Sequence, residues 1–410
     1  MTATDKDKAT AGVGLTILLC FLAAVIEGID LQSAGVAAGG IKGAFHLDDG
    51  QMKFVLAASP FGLLLGAIAG GRLADMVGRK TVLVGSVAIF GVFSLITAFA
   101  PSYETLVAIR VLTGLGLGGA TPNLIALTGE AAKRATSAAP VALVFAGMPV
   151  GGALVSYVGF LLGPMGDWRT IFYIGGIVPI LFAPLIWKYL PESRRFQEHK
   201  AAMAADAGDV RPSVVSALFA ENRALTSLLL WIASFFTLLI LYLLLNWLPL
   251  LMGGKGFNRE QGMIIQMFFN GGSVLGGVVL GRLMDRGRRA LILFVTYIGM
   301  ASSLFALGAA PAGAMVTSII AAIAVGFFVV GGQFVLYGLY PGFYSTRIRG
   351  TGAGAATAVG RVGAIAGPLL AGVLLSGGKT STEVLQSLLP VVLVGGIAAV
   401  ALIWRPTVDE

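Results

Sequence analysis

Apolar residues run along this chain in long, nearly unbroken blocks separated by short polar turns. A soluble helix would show an apolar stripe at a period near 3.6, and a half-buried strand would alternate. Blocks of about 20 apolar residues instead match the length that crosses a bilayer core. Twelve such spans are predicted, at 13–38, 51–71, 81–99, 104–128, 137–163, 169–189, 224–250, 261–281, 290–309, 314–338, 351–375 and 384–404. The expected fold class is therefore an all-α integral membrane protein with twelve transmembrane helices. One connection, 191–223, is long and polar and carries Pro191, Pro212 and the charged run Glu192-Ser193-Arg194-Arg195. It divides the chain into two six-helix halves, 1–190 and 224–410, with a linker of 191–223 between them.

The polar residues set an orientation. Of the 28 Lys and Arg residues, six (Lys42, Lys53, Arg169, Lys255, Arg259, Lys379) fall at one set of span ends and two (Arg110, Arg361) inside spans, which leaves 20 at the other ends. The positive-inside rule makes those ends cytoplasmic, together with both termini, as in a multi-pass protein of a bacterial-type inner (plasma) membrane. The apolar run after Lys8 is too long for the h-region of a signal peptide and no cleavage site follows it.

Composition narrows the function classes. Only 12% of residues are charged and 57% are hydrophobic, whereas a soluble domain carries about 25% charged residues. The 58 glycines fit membrane helices, where small residues let backbones approach. The net charge of +8 is spread through short loops, which is the wrong layout for a nucleic-acid footprint, so no nucleic-acid partner is expected. The single cysteine, Cys20, lies in a span, and His46 and His199 lie in loops with no ligating neighbour. No disulfide, metal or cofactor is expected. Nor is enzymatic chemistry, because the chain shows no nucleophile beside a base and no phosphate-cradling loop before a helix.

Charges inside the spans stand out against that background. Glu27 and Asp30 lie three residues apart in the first span and so share one helix face. A charged side chain at mid-membrane costs roughly 2.5–3.5 kcal/mol on insertion scales, so such residues face a protein interior or a wet cavity and tend to mark function. Two acids this close titrate as a pair. They are the candidate proton-coupling site, with Asp30 the expected carrier and Glu27 tuning it. Arg361 lies ten residues after Thr351, about 15 Å along its helix. It could dock a substrate carboxylate through its planar fork, pair with Glu27 or Asp30, or bond carbonyls beside the glycines of its own helix. Arg110, one or two turns into the fourth span, could snorkel to the interface or meet the acids of span one.

The two halves carry a repeat. Gly71-Arg72-Leu73-Ala74-Asp75 follows span 2, and Gly281-Arg282-Leu283-Met284-Asp285 follows span 8, at an offset of 210 residues. Duplicated six-helix halves are a building plan of secondary transporters, with the substrate site between halves near mid-membrane.

The string Gly71-Arg72-Leu73-Ala74-Asp75-Met76-Val77-Gly78-Arg79-Lys80 resembles the signature loop of the major facilitator superfamily. Glu27-Gly28-Ile29-Asp30 resembles the D-G-x-D element in helix 1 of its aromatic-acid:proton symporters, with glutamate for the first aspartate. The run from Glu27 to Gly35, the run from Thr121 to Glu130, Asn246-Trp247-Leu248-Pro249 and Pro191-Glu192-Ser193 are most similar to the hydroxyphenylpropionate carriers of that family. The arginine-glycine stretch after helix 4 is shortened to Lys133-Arg134-Ala135, and the second signature loop lacks its later glycine-arginine pair in register.

The resemblance implies proton-coupled uptake of an aromatic carboxylate by alternating access, a hydroxyphenylpropionate first. Importers of benzoate, hydroxybenzoate or other organic acids, and more distantly an efflux antiporter, are the alternatives. The expected partners are that carboxylate, protons and the bilayer, and the protein is expected to be a monomer. Helices 1, 4, 7 and 10 would line the cavity, which makes Gln32, Ser33, Asn123, Tyr242, Asn246, Gln333 and Tyr337 substrate-contact candidates beside Arg361. Phe235, Phe236, Trp247 and Phe334 could stack on an aromatic ring. Arg110 would modulate the helix-1 acids. Gly71, Asp75, Arg79, Asp285 and Arg349 are expected to form a gating latch at the cytoplasmic ends, with Thr351 capping helix 11.

Overall fold

The computed structural model describes residues 3–135, 139–163, 166–193, 196–197, 218–220, 223–284, 288–345 and 348–407. Twelve of the helices in these ranges are long and apolar enough to cross a membrane. In chain order they are α1 (Ala3–Ala44), α2 (Asp49–Val77), α3 (Arg79–Thr97), α4 (Tyr103–Ala135), α5 (Ala139–Leu161) and α6 (Arg169–Tyr189). The second set is α7 (Ala224–Gly254), α8 (Arg259–Met284), α9 (Arg289–Ala309), α10 (Met315–Leu339), α11 (Arg349–Ser376) and α12 (Ser381–Ala401). Short 3-10 turns follow α10 (Tyr340–Phe343) and α12 (Leu402–Trp404). The protein is a multi-pass, all-helical membrane protein. Several helices overrun the predicted spans, α2 to Val77 and α4 to Ala135 among them, because intrahelical hydrogen bonding continues into polar turns beyond the apolar core.

The chain forms two compact units. One comprises Met1–Ala37, Ala58–Val155 and Gly166–Asp209, and the other Ala38–Ala57, Ser156–Met165 and Val210–Glu410. The second unit thus takes in the α1–α2 turn. There Lys42 pairs with Asp49 at 2.6 Å, and Gly372 of α11 leaves room for the Asp49 carbonyl and the Lys53 side chain.

Glycines set the helix pairings, and they do so the same way twice. In the first unit a Cβ at Gly28 would strike the Met148 carbonyl, and one at Gly151 the Val25 carbonyl, so α1 lies backbone to backbone on α5. The same test seats α2 on α4 through Gly62 against Val111 and Gly114 against Ser59. In the second unit Gly363 and Gly367 of α11 close on Phe235 and Leu239 of α7, while Gly272 and Gly326 join α8 to α10. The order 1–5 and 2–4 is therefore repeated as 7–11 and 8–10. Small residues are what membrane helices use for such approaches, since lipid provides no hydrophobic drive for association. The glycines of Gly147-Met148-Pro149-Val150-Gly151 are spent on this packing.

Polar side chains close the ends of the second unit. Lys255, just past α7, is 7% exposed and donates to the Gly308 carbonyl at 2.6 Å and the Thr382 hydroxyl at 3.3 Å, joining the end of α9 to the start of α12. Desolvation pulls its pKa down. A complete capping box starts α12, with Thr380 and Glu383 exchanging side chain to backbone bonds. Helix α11 begins differently from expectation. Its N-cap is Ile348, with no side-chain cap, and Thr351 lies inside the first turn.

Candidate functional site

The i, i+3 spacing of Glu27 and Asp30 turns both carboxylates into the first unit, where they are 1% and 0% exposed. Each is met by a different neighbour. Thr121 of α4 donates its hydroxyl to Glu27 Oε1 at 2.5 Å. Ser94 of α3 donates to Asp30 Oδ1 at 2.5 Å. Arg110 of α4, also 0% exposed, places Nη1 3.4 Å from Asp30 Oδ2 and 3.5 Å from Oδ1, while Nη2 donates to the Asp30 carbonyl at 3.4 Å. The guanidinium lies 5.4 Å from the centre of the Phe172 ring of α6. Arg110 is thus held inside the unit and does not reach the interface by snorkelling. Gly175 of α6 completes the wall, since a Cβ there would approach Asp30 Oδ1 and the Ser33 and Ser94 hydroxyls. One acid therefore sits in an ion pair and the other on a hydroxyl, in a shell drawn from four helices.

Ser33 is spent on its own helix, donating to the Ile29 carbonyl at 2.7 Å. Gln32, the residue before it on α1, is buried as well. Asn123 is buried in α4 and donates to the Gly119 carbonyl at 2.8 Å, next to Pro122, which interrupts that helix's ladder.

A second polar cluster occupies the second unit. Gln333 of α10 is buried and lies beside the hydroxyls of Tyr337 and Tyr340, while its amide meets no partner at good hydrogen-bonding geometry. The two tyrosine rings pack edge to face at 5.7 Å, and Tyr340 shares a 2.6 Å hydrogen bond with Ser234 of α7. Arg361 of α11 is half-buried and close enough to Tyr337 to act on it electrostatically. No ion pair of Arg361 forms among the described residues. A cation, a phenol and an open amide at one place form a set that can receive a carboxylate or a ring hydroxyl. Tyr242 and Asn246 of α7 are buried, with Asn246 bonded to the Tyr242 carbonyl at 2.8 Å. Trp247 is fully buried and donates to the Pro368 carbonyl at 3.0 Å, so its ring packs α7 on α11. Phe235 and Phe236 pack edge to face at 5.1 Å, and Phe334 fills the space that Gly277 leaves open.

At the basic end of the first unit, Arg79 pairs with Glu130 at 2.9 Å, and Ser193 donates to the same Glu130 oxygen at 2.6 Å. Glu192 accepts from the backbone N–H of Lys80 at 3.0 Å and of Ser193 at 2.8 Å. Gly78 lies between them with φ of 101°, and a Cβ there would strike the Glu192 carboxylate. Asp75 is exposed, and Gly71 has open space around it. The carboxylate that holds Arg79 is therefore Glu130, not Asp75. In the second unit Arg349 donates to the Tyr344 carbonyl at 3.4 Å, and Asp285 lies outside the described residues.

Ser94, Glu130 and Tyr340 carry no signal of their own in the sequence. Ser94 looks like any small residue in an apolar span. Glu130 ends the run that starts at Thr121, and only three-dimensional proximity ties it to Arg79. Among the described residues, no group of three His, Cys, Asp or Glu side chains could hold a metal ion.

Twelve spans in a twice-repeated pairing, with buried charges in the first unit and a cation among tyrosines in the second, define a membrane carrier. The chain belongs to the Major Facilitator Superfamily, whose profile matches residues 20–368. It is 45% identical over 407 residues to the 3-(3-hydroxy-phenyl)propionate transporter of Escherichia coli (strain K12), covering 99% of this chain and 98% of that protein. It is 33% identical to the 4-hydroxybenzoate transporter PcaK of Pseudomonas putida, covering 91% and 88% of the two chains. The solved D-xylose-proton symporter shares the fold, with a TM-score of 0.76 at 17% identity over 96% of this chain and 97% of that one. These relatives are transporters, and the chain is not an enzyme.

Proposed function

We propose that the chain imports an aromatic carboxylate, a hydroxyphenylpropionate first, together with protons, by alternating access. The membrane is a bacterial-type inner membrane with both termini in the cytoplasm, and the working form is a monomer. The substrate class rests on the two aromatic-acid transporters just named, the more similar of which carries a hydroxyphenylpropionate in its name.

The observation that carries proton coupling is the buried Asp30–Arg110 pair. A sealed ion pair is weak evidence for stability, because desolvation offsets most of the attraction, whereas ionisable residues within a membrane protein serve proton relays. Protonation of Asp30 removes one charge of the pair and frees Arg110. Glu27, one turn away, couples to that event electrostatically, so the two acids titrate together. Ser94 and Thr121 hold the carboxylates in place in either state, since a hydroxyl can donate to a carboxylate or accept from a carboxylic acid.

Arg361 receives the substrate carboxylate through its planar fork, and Gln333 and Tyr337 supply hydrogen bonds to ring hydroxyls. Tyr242 and Asn246 of the same unit, and Gln32 and Asn123 of the first unit, are further substrate-contact candidates. Symport has an energetic reason. An inside-negative potential opposes anion entry at about 2.3 kcal/mol per charge per 100 mV, and one co-transported proton cancels that term. Gating belongs to the ends of the helices, where Arg79, Glu130 and Ser193 tie α3, α4 and the segment after α6 together.

The test is uptake by proteoliposomes. Radiolabelled 3-(3-hydroxyphenyl)propionate should accumulate above equilibrium when the exterior is acidic, and hydroxybenzoate less well. Equal uptake with and without a proton gradient would refute coupling. Preference for hydroxybenzoate would refute the substrate assignment.

A further inference from the structure

The hydroxyl hydrogens of the second unit's polar cluster have only one consistent arrangement. Ser234 of α7 donates its single hydroxyl hydrogen to the Leu230 carbonyl at 2.5 Å. Its 2.6 Å bond with Tyr340 must then run the other way, the phenol donating and the serine oxygen accepting. Tyr340 has no second hydrogen, so towards any other neighbour its oxygen can only accept. The same holds next to it. Ser227 donates to the Leu218 carbonyl at 2.8 Å and so accepts from the Tyr344 phenol at 2.9 Å. Both serines and both phenols are buried, which ties the 3-10 turn after α10 to α7 in one fixed polarity.

Gln333 is the neighbour for which this polarity matters. It is 2% exposed and lies beside the Tyr340 hydroxyl, and neither end of its amide has a partner at good geometry. An amide takes the orientation that its neighbours impose. Beside an oxygen that can only accept, Gln333 turns its nitrogen to Tyr340, which sends Oε1 the other way. A buried carbonyl without its hydrogen bond is unfavourable. It has two lone pairs, so Tyr337, beside the same amide, does not exhaust it. The hydrogen it lacks is one that a ligand can bring. An ionised carboxylate has none to give, whereas a ring hydroxyl has one.

We propose that Gln333 Oε1 accepts the ring hydroxyl of the substrate, and that Tyr340, held by Ser234, is the positioning residue that fixes the amide for it. This rests on the transport reading above and adds the basis of its selectivity: hydroxylated aromatic acids are taken in preference to acids with a bare ring. Arg361 meets the carboxylate of either, so the discrimination lies with Gln333 and its orientation. A site built to bond a substrate hydroxyl rejects the analogue without it, because its own polar group is then left unpaired.

Calorimetric titration of the full-length protein in detergent with 3-(3-hydroxyphenyl)propionate and with 3-phenylpropionate tests this. The unmodified protein should bind the hydroxylated acid at least about tenfold more tightly. Tyr340→Phe keeps the edge-to-face packing on Tyr337 and loses only the hydroxyl. It should cut the preference to about threefold or less through weaker binding of the hydroxylated acid, with 3-phenylpropionate bound as before. Ser234→Ala, which releases the phenol hydrogen to turn on the amide, should act in the same direction. Each of these variants removes a single oxygen, and thermal unfolding confirms that it is folded. Equal affinity for the two acids in the unmodified protein, a preference that survives both variants, or an equal loss of affinity for both acids would overturn the inference and leave the transport reading standing. Binding of neither acid by the unmodified protein would overturn that reading and the inference with it.

Discussion

Asp30 and Arg110 hold each other at 3.4 Å with both side chains sealed from solvent, and each is costly without the other. Removing one partner of a buried pair leaves an uncompensated charge and costs about 3–5 kcal/mol, whereas replacing both by neutral groups is far cheaper. Arg110→Met alone should therefore lower the unfolding temperature in detergent sharply, and Asp30→Asn/Arg110→Met should recover most of the loss. Additive losses in a double-mutant cycle would mean that the two groups do not compensate one another. Arg361 should behave differently because no ion pair among the described residues depends on it. Arg361→Ala should weaken binding of hydroxyphenylpropionate by tenfold or more, in line with about 1.5–3 kcal/mol for hydrogen bonds to charged groups. Arg361→Lys should recover only part of this, because a point charge cannot form the paired fork. Calorimetric titration measures both. Unchanged affinity in Arg361→Ala would assign the side chain to its own helix.

The helices are paired by close backbone contacts, and these are sensitive to single methyl groups. Gly28 faces the Met148 carbonyl, while Gly14 on the same helix has nothing within 4 Å. Gly28→Ala should depress thermal stability by several degrees through its clash, whereas Gly14→Ala should leave it unchanged or slightly raised, since helix propensity favours alanine at both. A neutral Gly28→Ala would contradict the α1–α5 packing. This scale also shows what could be read from the chain alone. Span length and charge bias carry the twelve-helix architecture because bilayer thickness is a one-dimensional constraint. The repeat of Gly71–Asp75 in Gly281–Asp285 points to a duplication, but not to the placement of Ala38–Ala57 and Ser156–Met165 in the second unit. Pairings such as Ser94 with Asp30, at a separation of 64 residues, or Glu130 with Arg79, at 51, leave no local trace, because any hydroxyl or carboxylate would read alike in sequence. Thr351 misleads for a related reason. A good capping residue was present, but the helix begins two residues earlier, at Arg349.

Across the whole molecule, the proposed binding chemistry and the proposed conformational control occupy different places. The buried acids and the Arg361 cluster lie within the units, and the Arg79–Glu130–Ser193 contacts lie at the basic end of the first. With the proposed gating role, a change at that end acts on the equilibrium between states and leaves intrinsic affinity alone. Glu130→Gln should therefore alter the maximal transport rate severalfold with little effect on the dissociation constant for substrate, read by transport assay and calorimetry on the same preparation. Loss of affinity equal to the loss of rate would place Glu130 in the binding machinery instead.

In the proposed cycle a proton carried by the Asp30 site drives substrate uphill. Asp30→Asn in proteoliposomes tests it most directly, assayed for accumulation under an inward proton gradient and for substrate counterflow at equal pH. Accumulation should be abolished while counterflow survives, because a neutral amide permits exchange but cannot carry the proton. Undiminished gradient-driven accumulation by Asp30→Asn would contradict it.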